Sequence, residues 1–554
     1  MAVESITSTE HDTPESRFTR YLFVGKEYPV YHSGTWTNPT NFTLDKLPSL
    51  EDLSCSPATA LLPLNKIKSA LSSGLIHQPE NLMFALAASA RQQKSESLRR
   101  AAYEYLSQHC KSPEHFLLFV SFASKLSKQQ SIPRHGYGHG WRTAVNEWYL
   151  SQGSKTLAEC VTRLKSRYGW SHKDIIKLSH PVTKGCTPDV QAVIKYIVFG
   201  LEKAKLEFEN ESRAREVLEL MERVEDFRQC EDPVRAAGLI RLHHYTLDHV
   251  NPDLMKFPDV WEALVETMDL ASIVQNLQRI QNAGLLATGS QIAEKIIAAL
   301  MDKDQVLKSK ISPSVLLLAV KTYENPDGVP MPVKRRIGRK NKLKHKRIPR
   351  PDMRIIDAMY LALNMSFSNV QPTGLKYLII VSTGGWRKPQ GCQGAVVEAS
   401  GPWVVEAACV LALGLLRADD KVTVSTFTGT EGLNARSVHL DKNATFVEAV
   451  EKIKARSTGP PNIGKPMLWA AHHRRKYDVF INVVDKMREK YDFTGRAMDL
   501  YKKKMNLPTT RLINWVVGST STYMEGRNVS DVLTVCGFDV HVPRIIEAFA
   551  RHQF

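Results

Sequence analysis

TLAECVTRLKSRYGWSHKDIIKLSH, residues Thr156–His180, sets the pattern from which the rest of the chain is read. In its first half Leu157, Val161, Leu164 and Tyr168 recur at helical spacing and form one apolar stripe. Arg163 and Arg167 stand four residues apart, which on a helix places both guanidinium groups side by side. Gly169 permits a tight turn, and Ser171 with Asp174 three residues on forms a capping box that starts a second helix. On that helix Lys173, Lys177 and His180 share one face, while Ile175 and Leu178 point away from it. A stripe that is apolar inward and basic outward fits the solvated face of a helical hairpin as well as a polyanion-binding one. The charge balance separates the two. Glu159 can pair with Arg163 and Asp174 serves as a cap, but the remaining bases have no acid nearby in sequence, and that surplus points to an external polyanion.

The whole chain repeats this bias. Its 554 residues suffice for two to four domains with sizeable cores. Composition is that of an ordinary globular protein, 43% hydrophobic and 24% charged. The 74 basic residues outnumber the 57 acidic ones, and the sequence pI is near 9.3. Such an excess concerns partners rather than fold, with nucleic acid and an anionic membrane surface as the main candidates. The eight cysteines (Cys55, Cys110, Cys160, Cys186, Cys230, Cys392, Cys409 and Cys536) form no C-x-x-C pair, which argues against a zinc ribbon or redox motif and for a reducing compartment. The N-terminal MAVESITSTEHDTPESRF lacks the apolar core of a signal peptide. The longest apolar run, Val404 to Leu416, contains Glu406 and is too short for a bilayer. A soluble, intracellular protein without membrane association is expected.

Residues 1–16 are polar and are expected to be disordered. From Arg17 to about Val320 helical periodicity recurs between short turns: Asn81–Lys94, Ser97–His109, Glu114–Ser127, Trp141–Ser151, Val190–Phe208, Glu211–Phe227, Arg235–His249, Val260–Leu270 and Gln291–Met301. No run there has the alternation of a strand. Many helices of similar length with short connections predict stacked helix pairs of the HEAT kind. An insertion at 326–350 changes character: Pro326, Gly328, Pro330 and Pro332 lead into KRRIGRKNKLKHKR, with Lys334, Arg335, Arg336, Arg339 and Lys340 at its head. Like charges at that density keep a segment open until a counter-charge arrives. A nuclear localisation signal, a nucleic-acid-binding arm and a plain solvated insertion all fit it. After Pro372-Thr-Gly, strands at Lys376–Val381, Lys421–Phe427, Asp478–Val484 and Arg511–Val517 alternate with helices at Val404–Leu416, Ala444–Ala455, Pro466–Arg475, Met498–Met505 and Pro543–Ala550. Alternation of this kind predicts a parallel, doubly wound α/β sheet, with any ligand beyond the carboxyl ends of its strands.

An all-α region carrying GWSHKDIIKLSH, followed by such an α/β domain, resembles the Ro ribonucleoprotein (SS-A/Ro autoantigen, TROVE-domain) family from about Arg17 onward. Supporting segments in the same order are Arg17-Phe-Thr-Arg-Tyr-Leu, Asn81-Leu-Met-Phe-Ala-Leu-Ala, Asn146-Glu-Trp-Tyr149, Leu239-Ile to His249, Pro372-Thr-Gly, Pro466-Met-Leu-Trp and Val535-Cys-Gly-Phe-Asp539. The resemblance implies a ring of HEAT-like helix pairs over 17–365 and a von Willebrand factor A-like domain over 371–554. It implies RNA binding without catalysis, as a monomer: small Y RNA on the outer surface, and the 3′ ends of misfolded noncoding RNA, such as 5S rRNA precursors, in the central hole. It places the Y RNA-contacting bases on Arg163, Arg167 and His180, with Arg163 where a Lys is usual. At Gly138-His-Gly-Trp-Arg-Thr-Ala the family's extra bases give way to His139 and Thr143, leaving Arg142, and Gln275 replaces an Arg. A cytoplasmic and also nuclear location follows.

The A-like domain of this family carries a metal-ion-dependent adhesion site whose D-x-S-x-S loop, with a later Thr and Asp, suits Mg²⁺. Here the loop reads Ser382-Thr-Gly384-Gly-Trp386, the Thr position is Pro461, and Asp485 alone survives, so no metal cofactor is expected. Trp386 and Arg387 then offer an altered contact surface. No phosphate-binding G-x-x-x-x-G-K-[ST], H-E-x-x-H or G-x-S-x-G motif occurs, which leaves the common hydrolase chemistries without support. The rival to an RNA-binding particle is a protein-interaction scaffold for acidic partners.

Overall fold

The computed structural model describes residues 12–34, 41–76, 78–129, 138–324, 350–382, 403–427, 436–456, 462–485, 493–518 and 530–554. They form two compact units, one of residues 13–22 and 42–267, the other of 1–12, 23–41 and 268–554.

The first unit is built from helices. Thr13 accepts the Ser16 N–H at 3.2 Å and so caps a helix beginning at Pro14. Residues 14–16, expected to be disordered, are therefore helical. The densest packing surrounds Pro79–Arg91, in which Asn81 through Ala90 are all buried. Its alanines let Glu96–His109 and Pro113–Gln129 approach closely, and Phe84 meets Phe122 edge to face at 5.4 Å. Further helices follow at His139–Leu150, Ser154–Arg163, His172–Ser179, Pro188–Phe199, Leu201–Glu207, Ser212–Gln229, Pro233–His243 and Pro258–Thr267. Two expected helices are shorter than their periodicity. Gly200, at φ +89°, divides 190–208. The helix expected to run from 235 to 249 stops at His243, because His244 turns into the left-handed region.

The second unit centres on a seven-stranded sheet of order β1-β9-β8-β7-β4-β5-β6. Its members are β1 (Val30–His32), β4 (Tyr377–Val381), β5 (Val422–Thr426), β6 (Arg436–Ser437), β7 (Val479–Val484), β8 (Arg511–Val516) and β9 (Val532–Cys536); β2 (Ser166–Arg167) and β3 (Trp170–Ser171) form a separate hairpin in the first unit. All neighbours in the large sheet run parallel except β5 and β6. Leu378, Phe480, Leu512 and Val516 pack on one face against Met467, Ala470, Met498 and Tyr501 of the helices Lys465–His472 and Phe493–Met505. The helix Val404–Ala418, buried nearly all round, packs on β4, β5 and β7. The doubly wound class is as expected, but β6 and β9 fall outside the expected strands, and the helix expected from Met498 begins at Phe493.

Three strands break the expectation of an all-helical region before residue 320: the hairpin pair β2 and β3, and β1. Val30 pairs with Thr534, Tyr31 with Val535 and His32 with Cys536, so β1 completes the sheet edge. Asp539, buried, secures it by accepting the Tyr31 hydroxyl at 2.6 Å and the Gly34 N–H at 2.9 Å. Pro372-Thr-Gly has a similar structural reason: the Asp419 carboxylate accepts both backbone N–H groups, at 2.9 Å from Thr373 and 2.7 Å from Gly374. Lys321, mostly buried, joins Glu324 at 3.0 Å, Glu406 at 2.8 Å and the Tyr360 hydroxyl at 3.0 Å. Burial opposes its charge, but Glu406 and Tyr360 outweigh burial and raise its pKa.

Candidate nucleic-acid interface

The segment 154–180 folds as helix, hairpin, helix. Leu157, Ala158 and Val161 bury the inner face of Ser154–Arg163, and the helix ends at Arg163. Arg167 does not continue it. It lies on β2 and pairs with Trp170 of β3. Tyr168 and Gly169 both have positive φ, 54° and 81°, as the two central residues of a type I′ hairpin turn require. The Ser121 hydroxyl holds the tip by donating to the Tyr168 carbonyl at 3.1 Å. Two expectations are thereby corrected. The two arginines do not share a helical face, and Tyr168, 41% exposed, lies outside the apolar stripe and under the Arg167 guanidinium at 5.4 Å.

Arg163 also has an acid, though not the expected one. Glu114, from a helix 49 positions earlier, accepts its guanidinium at 2.6 Å, in place of Glu159. Burial pushes the Glu114 carboxyl up, but its own N–H, the Ser112 hydroxyl and the charges of Arg163 and Arg167 bring it net below its usual range. The fields of both arginines therefore meet at one carboxylate. Lys165 pairs with Glu225 at 2.7 Å. Arg228 fixes the end of the helix from below, donating to the carbonyls of Thr162 at 2.5 Å and Arg163 at 3.1 Å.

The second helix, His172–Ser179, starts as expected at Ser171, whose hydroxyl oxygen accepts the Asp174 N–H at 3.1 Å. Its hydroxyl proton goes to the Asp174 carboxylate at 2.5 Å, so the reciprocal half of the box is a side-chain bond. Lys173 and Lys177 are exposed one turn apart, and His180 ends the helix, exposed, at φ +49°. His172, the residue before Lys173, faces the opposite way. It is 2% exposed, with Nδ1 at 2.6 Å from the Tyr149 hydroxyl, and burial holds its pKa down at about 4. That ring is core and keeps the two basic segments aligned. Asn146 donates to the Ser179 carbonyl at 3.2 Å, and Arg142, exposed one turn earlier on the same helix, belongs to the face that approaches His180.

Arg163, Arg167, Arg142, Lys173, Lys177 and His180 thus all lie in the first unit, arranged by three helices and a hairpin. Lys334, Arg335, Arg336, Arg339 and Lys340 lie outside the described residues, as do Trp386, Arg387 and Pro461. Basic residues that sequence reasoning passed over line an open groove of ≈ 1150 Å³ beside His139 and Thr143: Arg91, Arg99 and Arg100. Arg91 has Nε and Nη2 buried without a hydrogen-bond partner. The ring of Tyr103 in the same groove packs on Gly140, where an added Cβ would come within 3.3 Å of it. Only the clustering of three arginines within ten residues of sequence could have signalled this groove. Of the expected metal loop, Ser382 is buried and donates its N–H to the Val483 carbonyl at 2.8 Å, and Asp485 ends β7 against Gly518. Among the described residues no group of three or more His, Cys, Asp or Glu could hold a metal ion, and no helix is long and apolar enough to cross a membrane.

Stacked helices bearing a basic hairpin, joined in one chain to a doubly wound A-type sheet, define a class of two-part proteins that includes the Ro proteins. The TROVE domain model matches residues 65–249 and 246–374, and the Ro60 vWA domain model matches 393–550. The chain belongs to the TROVE-domain family. It is 26% identical over 548 residues to the RNA-binding protein RO60 of Deinococcus radiodurans, covering 97% of this chain and 93% of the relative. It is 23% identical over 504 residues to the RNA-binding protein RO60 of Caenorhabditis elegans, covering 82% and 73% respectively. The crystal structure of the Deinococcus radiodurans RO (RSR) protein superposes with a TM-score of 0.79 at 24% identity, covering 98% of this chain and all of that one.

Proposed function

We propose that this protein is a non-catalytic RNA-binding protein of a small ribonucleoprotein particle. It holds a Y-type small noncoding RNA on the face formed by Arg163, Arg167, Lys173, Lys177 and His180, with Arg142 beside it. The observation that carries this reading is a basic set on a hairpin and helix, exposed at Arg167, Lys173, Lys177 and His180 and braced by a buried Tyr149–His172 contact, in a family whose curated relatives are named RNA-binding proteins. Fixed cations on a rigid frame suit duplex RNA, which is gripped through phosphates, 2′-hydroxyls and shape. A second role is the capture of 3′ ends of misfolded noncoding RNA, with Arg91, Arg99 and Arg100 supplementing the bases lost at His139 and Thr143. The protein acts as a monomer in the cytoplasm and also in the nucleus, and its A-type domain works without a divalent metal.

Filter binding of a small stem-loop RNA across a salt series tests the central claim. Affinity falls steeply with salt, and Arg163→Ala/Arg167→Ala lowers the log–log slope by about 1.4 to 1.8, roughly 0.7–0.9 per lost phosphate contact. A flat salt response favours the acidic-protein scaffold instead. Titration with Mg²⁺ or Mn²⁺ gives no stoichiometric heat; a one-to-one binding isotherm would restore the metal site.

A further inference from the structure

A second concave site adjoins the basic face on its Arg163 side. It is a cleft of ≈ 440 Å³, bounded by the helices Ser154–Arg163 and Ser212–Gln229, the turn after His243, and Lys111. That size falls within the range of small-ligand pockets, on the order of 300–1,000 Å³. Its walls are fixed to one another, because Arg228 donates to the carbonyls of Thr162 and Arg163 on one side and to that of Asp248, at 3.2 Å, on the other. A pre-formed cleft loses little order on binding.

The chemistry of the lining is anion-directed. Lys111 and Arg223 are exposed in it, and among the described residues neither has a carboxylate partner, while Arg163 is shared with Glu114. Glu159 is the one carboxylate among the described lining residues. Two free cations match the charge of a phosphate monoester, about −1.5 to −2 near neutrality, better than the single charge of an internal phosphodiester. His249 adds a neutral donor. Its Nδ1 accepts the Thr246 N–H at 3.1 Å, so its proton rests on Nε2. Burial and the Arg228 charge hold its pKa at about 4, which keeps the ring uncharged near neutrality. Tyr245 closes the floor, packed on Phe227 at 4.4 Å and flanked by the rings of His243 at 5.3 Å and His249 at 5.2 Å, a wall suited to a planar base.

We propose that this cleft binds a nucleotide through its phosphate monoester, with Lys111 and Arg223 on the phosphate and the His243–Tyr245–His249 wall beside the base. The same chemistry is offered by a free nucleoside monophosphate and by the phosphorylated end of an RNA strand. Only the second source rests on the neighbouring face being an RNA site.

Isothermal titration of the full-length protein with uridine 5′-monophosphate, inorganic phosphate and uridine is the test. The nucleotide binds, phosphate binds more weakly, and uridine gives no heat. Lys111→Ala/Arg223→Ala, with an unchanged melting temperature, weakens the nucleotide by about ten-fold or more. Lys111→Glu alone does the same should the double variant melt early. A hairpin RNA with a 5′-phosphate binding at least about five-fold tighter than its 5′-hydroxyl form, with that preference lost in the variant, assigns the site to strand ends. No such preference, with nucleotide binding intact, assigns it to free nucleotide. Uridine binding as tightly as its monophosphate, or a folded variant that keeps nucleotide affinity, overturns the proposal. A hairpin that fails to bind in either form while the nucleotide binds refutes the RNA reading and leaves the cleft standing.

Discussion

Glu114→Gln should tighten RNA binding. Glu114 holds Arg163 at 2.6 Å and feels Arg167 as well, so it competes with any phosphate brought to that face. A phosphate seated on Arg163 would lie roughly 7 Å from the carboxylate, where two unit charges repel by about 0.6 kcal/mol at the dielectric of water and about 2.4 kcal/mol at an effective value near 20. Screening at 0.1 M salt, with a Debye length of about 10 Å, halves these to about 0.3–1.2 kcal/mol. The affinity gain is therefore about two- to seven-fold, largest at low salt. The amide is isosteric and still accepts a hydrogen bond from Arg163, so the guanidinium stays in place. Filter binding at about 50 and 200 mM salt measures it. The same cycle with Arg163→Ala separates the roles: an arginine already engaged by a carboxylate contributes less to phosphate binding, so Arg163→Ala costs less in the native background than in the Glu114→Gln background. Weaker binding by Glu114→Gln, or equal costs of Arg163→Ala in both backgrounds, would refute the view that this carboxylate restrains a phosphate-binding arginine.

Three stability predictions accompany it. His172 is depressed from 6.5 to about 4 in the fold, so its neutral form stabilises fully above the unfolded value and that stability is lost as pH falls from about 6.5 toward 4. His172→Phe should therefore flatten the acid limb of urea denaturation by up to about 3 kcal/mol, with a small pH-independent loss from the unpaired Tyr149 hydroxyl; parallel pH profiles would exclude this role. Asp539→Ala strips acceptors from the Tyr31 hydroxyl and the Gly34 N–H, and should cost about 3 kcal/mol with faster amide exchange at 30–34; a loss under about 1 kcal/mol contradicts the anchoring. Lys321→Met leaves Glu324 and Glu406 without their cation and should cost about 3–5 kcal/mol, most of it recovered by adding Glu406→Gln.

What was legible in the sequence followed the reach of its signals. The strand β4 is a continuous apolar run, and β7 and β8 are apolar apart from Asn482 in the one and Arg511 and Asn514 in the other; a short run buried on both faces has few other readings beside amphipathic helices. The helix cap at Ser171 is local and holds in the fold. Arg163 and Arg167 failed because the spacing of four fits a helix as well as a helix end followed by a hairpin; the Tyr168-Gly169 pair before Trp170 was the signal for the second. Glu114 had no signal, since its pairing arises from packing between helices far apart in sequence. His172 sat in the most recognisable segment yet serves the core, which composition cannot distinguish from a ligand-facing histidine.

The pairing of β1 with β9 also bears on how the chain reaches its fold. Val30 must wait for Thr534, on the order of 500 residues later, before its backbone finds a partner. The sheet edge is then among the last elements to form during synthesis, and until it does β9 presents open N–H and C=O groups to any strand nearby. A chain stalled before residue 532 leaves β8 exposed in the same way. Aggregation in this protein should therefore track slow or interrupted translation more closely than loss of equilibrium stability.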